Sequence, residues 1–122
     1  MDKDLRTLER EAKKGDVRAR FQWRQALLRS GRGSEAGIEV GDTIRVTENG
    51  EESYSEKPWT AVVTAVSPWE KDVLEYKVRI LSGFEHFKPQ FLKNERYKET
   101  AHVAHDDAIE LLEIASPVEQ AP

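Results

Sequence analysis

The apolar residues of this chain change their spacing near residue 38, and this change limits what the chain can fold into. Before it, Leu5, Leu8 and Ala12 recur at the spacing of an α-helix. After it, apolar and polar residues alternate, most clearly in "VLEYKVRIL" at residues 73–81, which is the spacing of a β-strand with one buried face. Because the helical pattern precedes the strand pattern, the sequence predicts an α+β fold.

Two helices are predicted within residues 3–30, broken near "KKGD" at residues 13–16. Asp2 or Asp4 can cap the first helix and Asp16 the second, because a carboxylate accepts from the free amides of a first turn. Glycine ends each helix, at Gly15 and at Gly31. The predicted apolar face of the second helix combines Val17, Phe21 and Leu28, with Trp23 and Leu27 beside it. We interpret the pair as a helical hairpin.

A short segment rich in glycine and serine, "SGRGSEAG" at residues 30–37, is the predicted linker. We place a boundary near Gly33. The predicted organisation is a helical hairpin arm at residues 1–33, a small antiparallel β-barrel domain at residues 34–116 and a flexible tail at residues 117–122.

The charge of the chain changes sign at the same boundary. Residues 1–33 hold ten basic and five acidic side chains, a net charge of +5, while the other 89 residues hold nine and eighteen, a net charge of −9. A basic arm therefore precedes an acidic body. Two interpretations stay open, because the arm can pack on the acidic body or bind an external polyanion.

Three strands are predicted from alternation. Ile44 and Val46 lie on the buried face of the first, and Asn49-Gly50 suits a tight turn after which Tyr54 lies in the returning chain. The second strand is predicted to end at Pro68, because proline cannot donate to a sheet ladder. The predicted buried faces of the second and third strands contain Trp59, Ala61, Val63, Leu74, Tyr76, Val78 and Ile80.

These strands have a recognisable order. The succession "VGDTIRV", "WTAVVTAV" and "EYKVRIL", within residues 40–81, resembles the Tudor-type small β-barrel in its Gly-Asp turn, its Trp opening the second strand and its aromatic-led third strand. The resemblance implies a barrel that binds peptides, methylated side chains or nucleic acid and that catalyses nothing. It also implies two further short strands soon after Leu81, where this chain instead has an insertion of residues 82–107 before "AIELLEI" at residues 108–114.

The segment at residues 97–115 fits two structures. "AIELLEI" can close the barrel as a strand, as the preceding Asp-Asp turn signal favours. Helical spacing also connects Tyr97, Ala101, Ala104, Ala108 and Leu111. We favour the strand.

Aromatic residues in segments rich in turn residues are the predicted partner-binding side chains, since aromatic side chains often anchor protein interfaces. They are Trp59, Trp69, Phe84, Phe87 and Tyr97, with Phe91 nearby and Trp69 predicted to lie exposed at a hairpin tip. The alternative is that several of them complete a small core. The sequence favours a non-enzymatic module that binds a protein partner, such as a small regulator or inhibitor encoded by a mobile genetic element.

The alternative function is nucleic-acid binding by the basic helices. Clustered cations can contact phosphates and give a salt-dependent affinity. The candidate residues are Arg6, Arg10, Lys13, Lys14, Arg18 and Arg24.

Catalysis and cofactors have no motif in this sequence. No serine lies in a nucleophile elbow, and there is no phosphate-binding or dinucleotide-binding fingerprint, so we expect no enzyme activity and no cofactor. His102, His105 and Asp106 would approach one another on a helix and separate on a strand, and we expect no metal site. The sequence has no cysteine and no apolar run long enough to span a bilayer, so we expect a cytoplasmic protein.

Overall fold

The computed structural model describes residues 4–47, 53–71, 73–104 and 109–116. Helices come first, a five-stranded sheet follows, and the predicted α+β class is confirmed. The elements are α1 (Leu5–Lys13), α2 (Val17–Arg29), a 3₁₀ turn (Gly33–Glu35), β1 (Thr43–Val46), β2 (Trp59–Glu70), β3 (Val73–Ser82), a second 3₁₀ turn (Phe84–His86), α3 (Pro89–Leu92), α4 (Arg96–Glu99), β4 (Ala101–Ala104) and β5 (Ile109–Glu113).

Carboxylate caps start both long helices, as predicted. Asp4 accepts from the Thr7 N–H at 2.8 Å and Asp16 accepts from the Ala19 N–H at 3.0 Å. The hydrogen bond from the Thr7 backbone holds the pKa of Asp4 below its ordinary value, so this cap weakens as acid protonates the carboxylate. Gly15, with a φ of 95°, ends α1 in the left-handed region, where glycine is unstrained.

The buried face of α2 differs from the predicted one. Ala19, Arg24 and Leu27 are buried, whereas Val17 is 63% exposed. The prediction had assigned only apolar side chains to the buried face of α2. The face that packs on the sheet is instead the one that carries Arg24, because a buried carboxylate lies opposite it.

The sheet is antiparallel throughout, in the order β4-β3-β2-β1-β5. β5 pairs with β1, so the strand interpretation of "AIELLEI" is confirmed over Ile109–Glu113. The helical alternative for residues 97–115 is wrong beyond α4, because Ala101–Ala104 is also a strand, paired with β3.

β2 extends further than predicted. It continues through Pro68 to Glu70, and Pro68 lies opposite Leu74 of β3. β1 pairs with residues 59–62 of β2 and not with the part of β2 around Pro68. On the side that faces β1, the part around Pro68 is therefore an edge, where proline is tolerated. The predicted turn at Asn49-Gly50 lies outside the described residues, and Tyr54 lies before β2 rather than in it.

Alternation correctly identified most of the buried residues of the sheet. The predicted residues Ile44, Val46, Trp59, Ala61, Val63, Tyr76 and Val78 are all buried. Leu74 is exposed instead, near the end of β3. Leu27 of α2 belongs to the same core cluster as these strand residues, so the second helix covers part of the sheet.

Closure of the sheet into a barrel stays a prediction. β4 and β5 are the two outer strands of the order, and they do not pair with each other within the described ranges. Register shifts interrupt the β2–β3 ladder at three places and the β1–β5 ladder at one. Such irregularities bend and twist strands locally.

A buried ion pair joins α2 to the sheet. Arg24 is 4% exposed and Asp42, just before β1, is 0% exposed. Both terminal nitrogens of Arg24 donate to the Asp42 carboxylate, one at 3.2 Å. The guanidinium also donates to the carbonyls of Ala36 at 3.1 Å and Gly37 at 2.9 Å.

The Asp42 carboxylate has two further donors. The Glu39 N–H donates to it at 2.8 Å and the Ala115 N–H, beyond β5, at 3.0 Å. The Asp42 backbone carbonyl accepts from Val63 of β2 at 2.9 Å. The Asp42 side chain thus connects α2, the segment that follows α2 and the residues just beyond β5. These contacts cross the predicted boundary near Gly33.

Replacing Arg24 with Met should reduce the free energy of unfolding by about 3 to 5 kcal/mol, because the substitution leaves the Asp42 carboxylate buried without its cation. Urea or guanidinium unfolding of the intact chain measures this.

Arg45→Ala is the matched control, since Arg45 pairs with Glu110 at 3.0 Å with both side chains largely exposed. The control should change stability by at most about 1 kcal/mol. Equal losses for the two variants would contradict a structural role for the buried pair.

Candidate protein-binding surface

Six aromatic side chains meet between the sheet and the segment that follows β3. This aromatic cluster consists of Tyr54, Trp59, Phe84, Phe87, Phe91 and Tyr97. Tyr54 lies at its centre: its ring centroid is 4.8 Å from that of Phe91, 5.4 Å from that of Phe87 and 5.6 Å from that of Tyr97. The T-shaped, tilted and stacked arrangements at these distances are favourable for aromatic pairs.

The cluster has a buried side and an exposed side. Trp59 is 1% exposed and Phe87 is 3% exposed, so both belong to the core and neither offers a surface to a partner. This corrects their prediction as partner-binding side chains. Both rings fill space beside the sheet, where their apolar area is removed from water. Tyr54, Phe84, Phe91 and Tyr97 remain partly exposed.

Phe84 and Tyr97 are therefore the two predicted residues of the cluster that stay partly exposed, and they join the cluster through different rings, Phe84 through Phe87 and Tyr97 through Tyr54 and Phe91. Tyr54 is also on the exposed side of the cluster, and sequence reasoning missed its role by assigning it to a strand. The available signal was a single aromatic residue within the polar stretch "EESYSEKP" at residues 51–58. Such a residue needs apolar neighbours from elsewhere in the fold.

Backbone contacts fix the loop of Tyr54 against the Phe87 segment. Ser55 and Phe87 form an isolated antiparallel bridge, and the buried Ser55 hydroxyl donates to the His86 carbonyl at 3.1 Å. The Lys88 N–H donates to the Tyr54 carbonyl at 2.9 Å. These bonds hold the loop of Tyr54 in place beside the Phe87 segment.

The exposed rim of the cluster carries both charge and hydrogen-bonding groups. The Lys98 ammonium lies 5.2 Å from the centroid of the Phe84 ring, a cation–π distance. The His102 N–H donates to the Tyr54 hydroxyl at 3.4 Å, and the His102 ring lies 2.8 Å from the Glu75 carboxylate. The partly exposed rings thus lie beside charged and hydrogen-bonding groups.

Trp69 lies in the last part of β2, one residue before its end, rather than in the turn itself. Its side chain lies outside the described part of the chain. Its predicted role in partner binding stays a prediction.

The basic helices form a second candidate surface. Lys13 pairs with Glu9 at 3.2 Å, and Arg20 pairs with Glu39 of the body at 2.6 Å. Arg24 is buried against Asp42, so its predicted contact with nucleic acid is wrong. Five exposed cations form no ion pair with another described residue: Arg6, Arg10, Lys14, Arg18 and Arg29.

The predicted metal-ligand candidates separate or lie outside the described ranges. His102 is on β4, where its ring contacts Glu75, while His105 and Asp106 fall between the described residues 104 and 109. In the described part of the chain, no three His, Cys, Asp or Glu side chains come close enough to hold a metal ion. None of the described helices has the length and apolar character to cross a membrane.

Gly83 makes the close approach between β3 and the cluster possible. Its φ is 97°, and an added Cβ would lie 2.7 Å from Trp59 Cβ. Gly83→Ala should therefore destabilise the protein by more than Gly15→Ala, whose φ of 95° is similar but which has nothing within 4 Å of an added Cβ.

The left-handed backbone costs on the order of 1 to 3 kcal/mol in either variant, and the contact with Trp59 adds to this in Gly83→Ala alone. Chemical unfolding of both variants measures the difference. Equal losses would contradict the close packing of Gly83 on Trp59.

Comparison of the chain with protein-family models, with curated proteins and with solved structures finds no match. The function therefore has to be argued from the side chains and their contacts.

Proposed function

We propose that this chain is a non-enzymatic interaction module that binds a protein partner through the exposed side of the aromatic cluster. The observation that carries the proposal is the division of that cluster. Two rings are buried, while Tyr54, Phe84, Phe91 and Tyr97 keep part of their surface in contact with solvent. Aromatic side chains in partly desolvated positions carry much of the binding energy of protein interfaces.

Preorganisation supports the same proposal. Tyr54 contacts four other rings, and hydrogen bonds with His86 and Lys88 hold Tyr54 and Ser55 in place. A surface that is already ordered loses little conformational entropy when a partner binds.

Several finer statements belong to this proposal. We propose that α1 and α2 act as a helical hairpin, that the sheet curls towards a Tudor-like barrel, and that the protein is a cytoplasmic regulator or inhibitor of a larger assembly. The register shifts along β2 would permit strong curvature. Tyr76 of β3 and Leu111 of β5 line one cleft although β2 and β1 lie between their strands, which also favours a curled sheet.

The first test starts by capturing the partner on the wild-type protein and then measures affinity with purified components. Tyr97→Ala should weaken binding by on the order of 30-fold or more, because truncating a central interface aromatic costs about 2 kcal/mol. Phe84→Ala should act in the same direction. Titration calorimetry measures both affinities, and thermal melts verify that each variant is folded.

Leu74→Ala is the control, since Leu74 is an exposed apolar side chain on β3 that makes no ring contact in the cluster. Its affinity should stay within about twofold of the wild-type value. Binding that is insensitive to both aromatic variants, or equally sensitive to the control, would refute the aromatic surface as the interface.

A second candidate function, nucleic-acid binding, is favoured by the five unpaired cations of α1 and α2. Their side chains are exposed and form no ion pair with another described residue, so phosphates could bind them without breaking one. The acidic character of residues 34–122 opposes such binding through long-range repulsion.

Charge reversal tests this candidate. Arg10→Glu combined with Lys14→Glu should abolish binding to labelled DNA or RNA, whereas the wild-type affinity should fall steeply as salt rises. Fluorescence anisotropy at low and at physiological salt measures both effects.

The charge-matched control is Lys71→Glu with Lys77→Glu, two exposed lysines of the β2–β3 region. If the control loses binding and the Arg10 and Lys14 variant does not, nucleic acid binds outside the helices α1 and α2. Absence of wild-type binding at low salt would eliminate this function.

A further inference from the structure

A second concave region lies away from the aromatic cluster. A cleft of about 460 Å³ opens between the segment that follows α2 and the strands β3 and β5. Four apolar side chains form much of its wall: Leu28, Ile38, Ile109 and Leu111. Gly31, Gly33 and Gly37 line the same side without side chains, which leaves the space open. A cleft of this size lies within the range of small-molecule sites.

Tyr76 places one polar group in this cleft. The residue is 7% exposed and lines the cleft wall from β3. Its hydroxyl makes no hydrogen bond within the described part of the chain. Every described side-chain oxygen or nitrogen that is sealed from solvent does have a partner. The hydroxyl therefore keeps some contact with solvent, and the cleft is an open space that Tyr76 lines. Burial raises the pKa of the Tyr76 phenol, so the phenol is neutral and can donate at neutral pH.

The charges around the cleft define the ligand further. Among the described residues, Glu110 is the one charged side chain of the lining, and its carboxylate already accepts from Arg45 at 3.0 Å. An anion would find no cation in this described lining, and a cation would have to compete with Arg45. The lining therefore favours a neutral ligand.

We infer that this cleft binds a neutral small molecule with an apolar body and one hydrogen-bond acceptor, such as a ketone, which receives the Tyr76 hydroxyl. The apolar body replaces water against Leu28, Ile38, Ile109 and Leu111. The acceptor takes the place of water at a hydroxyl that has no partner among the described residues. This site is independent of the proposed protein-binding surface.

Three matched probes test the site by methyl NMR titration of the intact protein: acetophenone, ethylbenzene and benzoate. Acetophenone should shift the methyl signals of the four apolar wall residues. It should bind about 3- to 10-fold more tightly than ethylbenzene, which has the same shape without the acceptor. Benzoate should bind more weakly than acetophenone.

Tyr76→Phe removes only the hydroxyl, so it should lower the affinity for acetophenone to that for ethylbenzene while ethylbenzene binding stays unchanged. Ile109→Trp should fill the cleft and weaken both probes, and Leu81→Trp, at an exposed position of β3 that does not line the cleft, should weaken neither.

Three results would overturn the inference. The first is the absence of shifts at the cleft methyls. The second is a set of equal shifts at exposed apolar residues elsewhere, such as Val17 and Leu81. The third is an affinity ratio between acetophenone and ethylbenzene that Tyr76→Phe leaves unchanged.

Discussion

The buried pair of Arg24 and Asp42 is the interaction on which the arrangement of helices and sheet depends. A guanidinium and a carboxylate removed from water are tolerated only when their hydrogen bonds are satisfied, and here backbone groups from Ala36, Gly37 and Ala115 take part. The pair therefore requires α2, the connection to β1 and the end of β5 to be in place together. This requirement fixes the position of α2 on the sheet.

The two candidate sites follow from that position. With α2 and its connection fixed, residues 31–38 face β5 and leave the cleft that Tyr76 lines. The aromatic cluster forms at the segment after β3, where Gly83 lets the chain pass close to Trp59. One region is therefore an open cleft that Leu28, Ile38, Ile109 and Leu111 line together with Tyr76, and the other is a group of partly exposed rings. This difference in shape is why we propose a small-molecule site for the first and a protein-binding surface for the second.

Charge in this protein has two separate uses. The sequence showed a basic arm and an acidic body, and the structure shows the intramolecular interpretation for part of the arm. Arg20 and Arg24 pair with Glu39 and Asp42 of the body, which is the intramolecular alternative. The remaining exposed cations of α1 and α2 are available to an external partner. No pattern in the sequence distinguished the two groups, because pairing depends on which helix face meets the sheet.

Local features of the fold were determined by the sequence itself. The caps at Asp4 and Asp16, the end of α1 at Gly15 and the alternation at Ile44, Val46 and Val78 depend on neighbouring residues, so they were predicted correctly. The tertiary structure decided which polar and aromatic residues are buried. The sequence predicted Arg24 as an exposed cation and Trp59 and Phe87 as partner-binding side chains. In the structure all three are buried, because Asp42 pairs with Arg24 and other aromatic rings pack around Trp59 and Phe87. Burial depends on contacts between residues far apart in the chain, so the local spacing of residue types does not predict it.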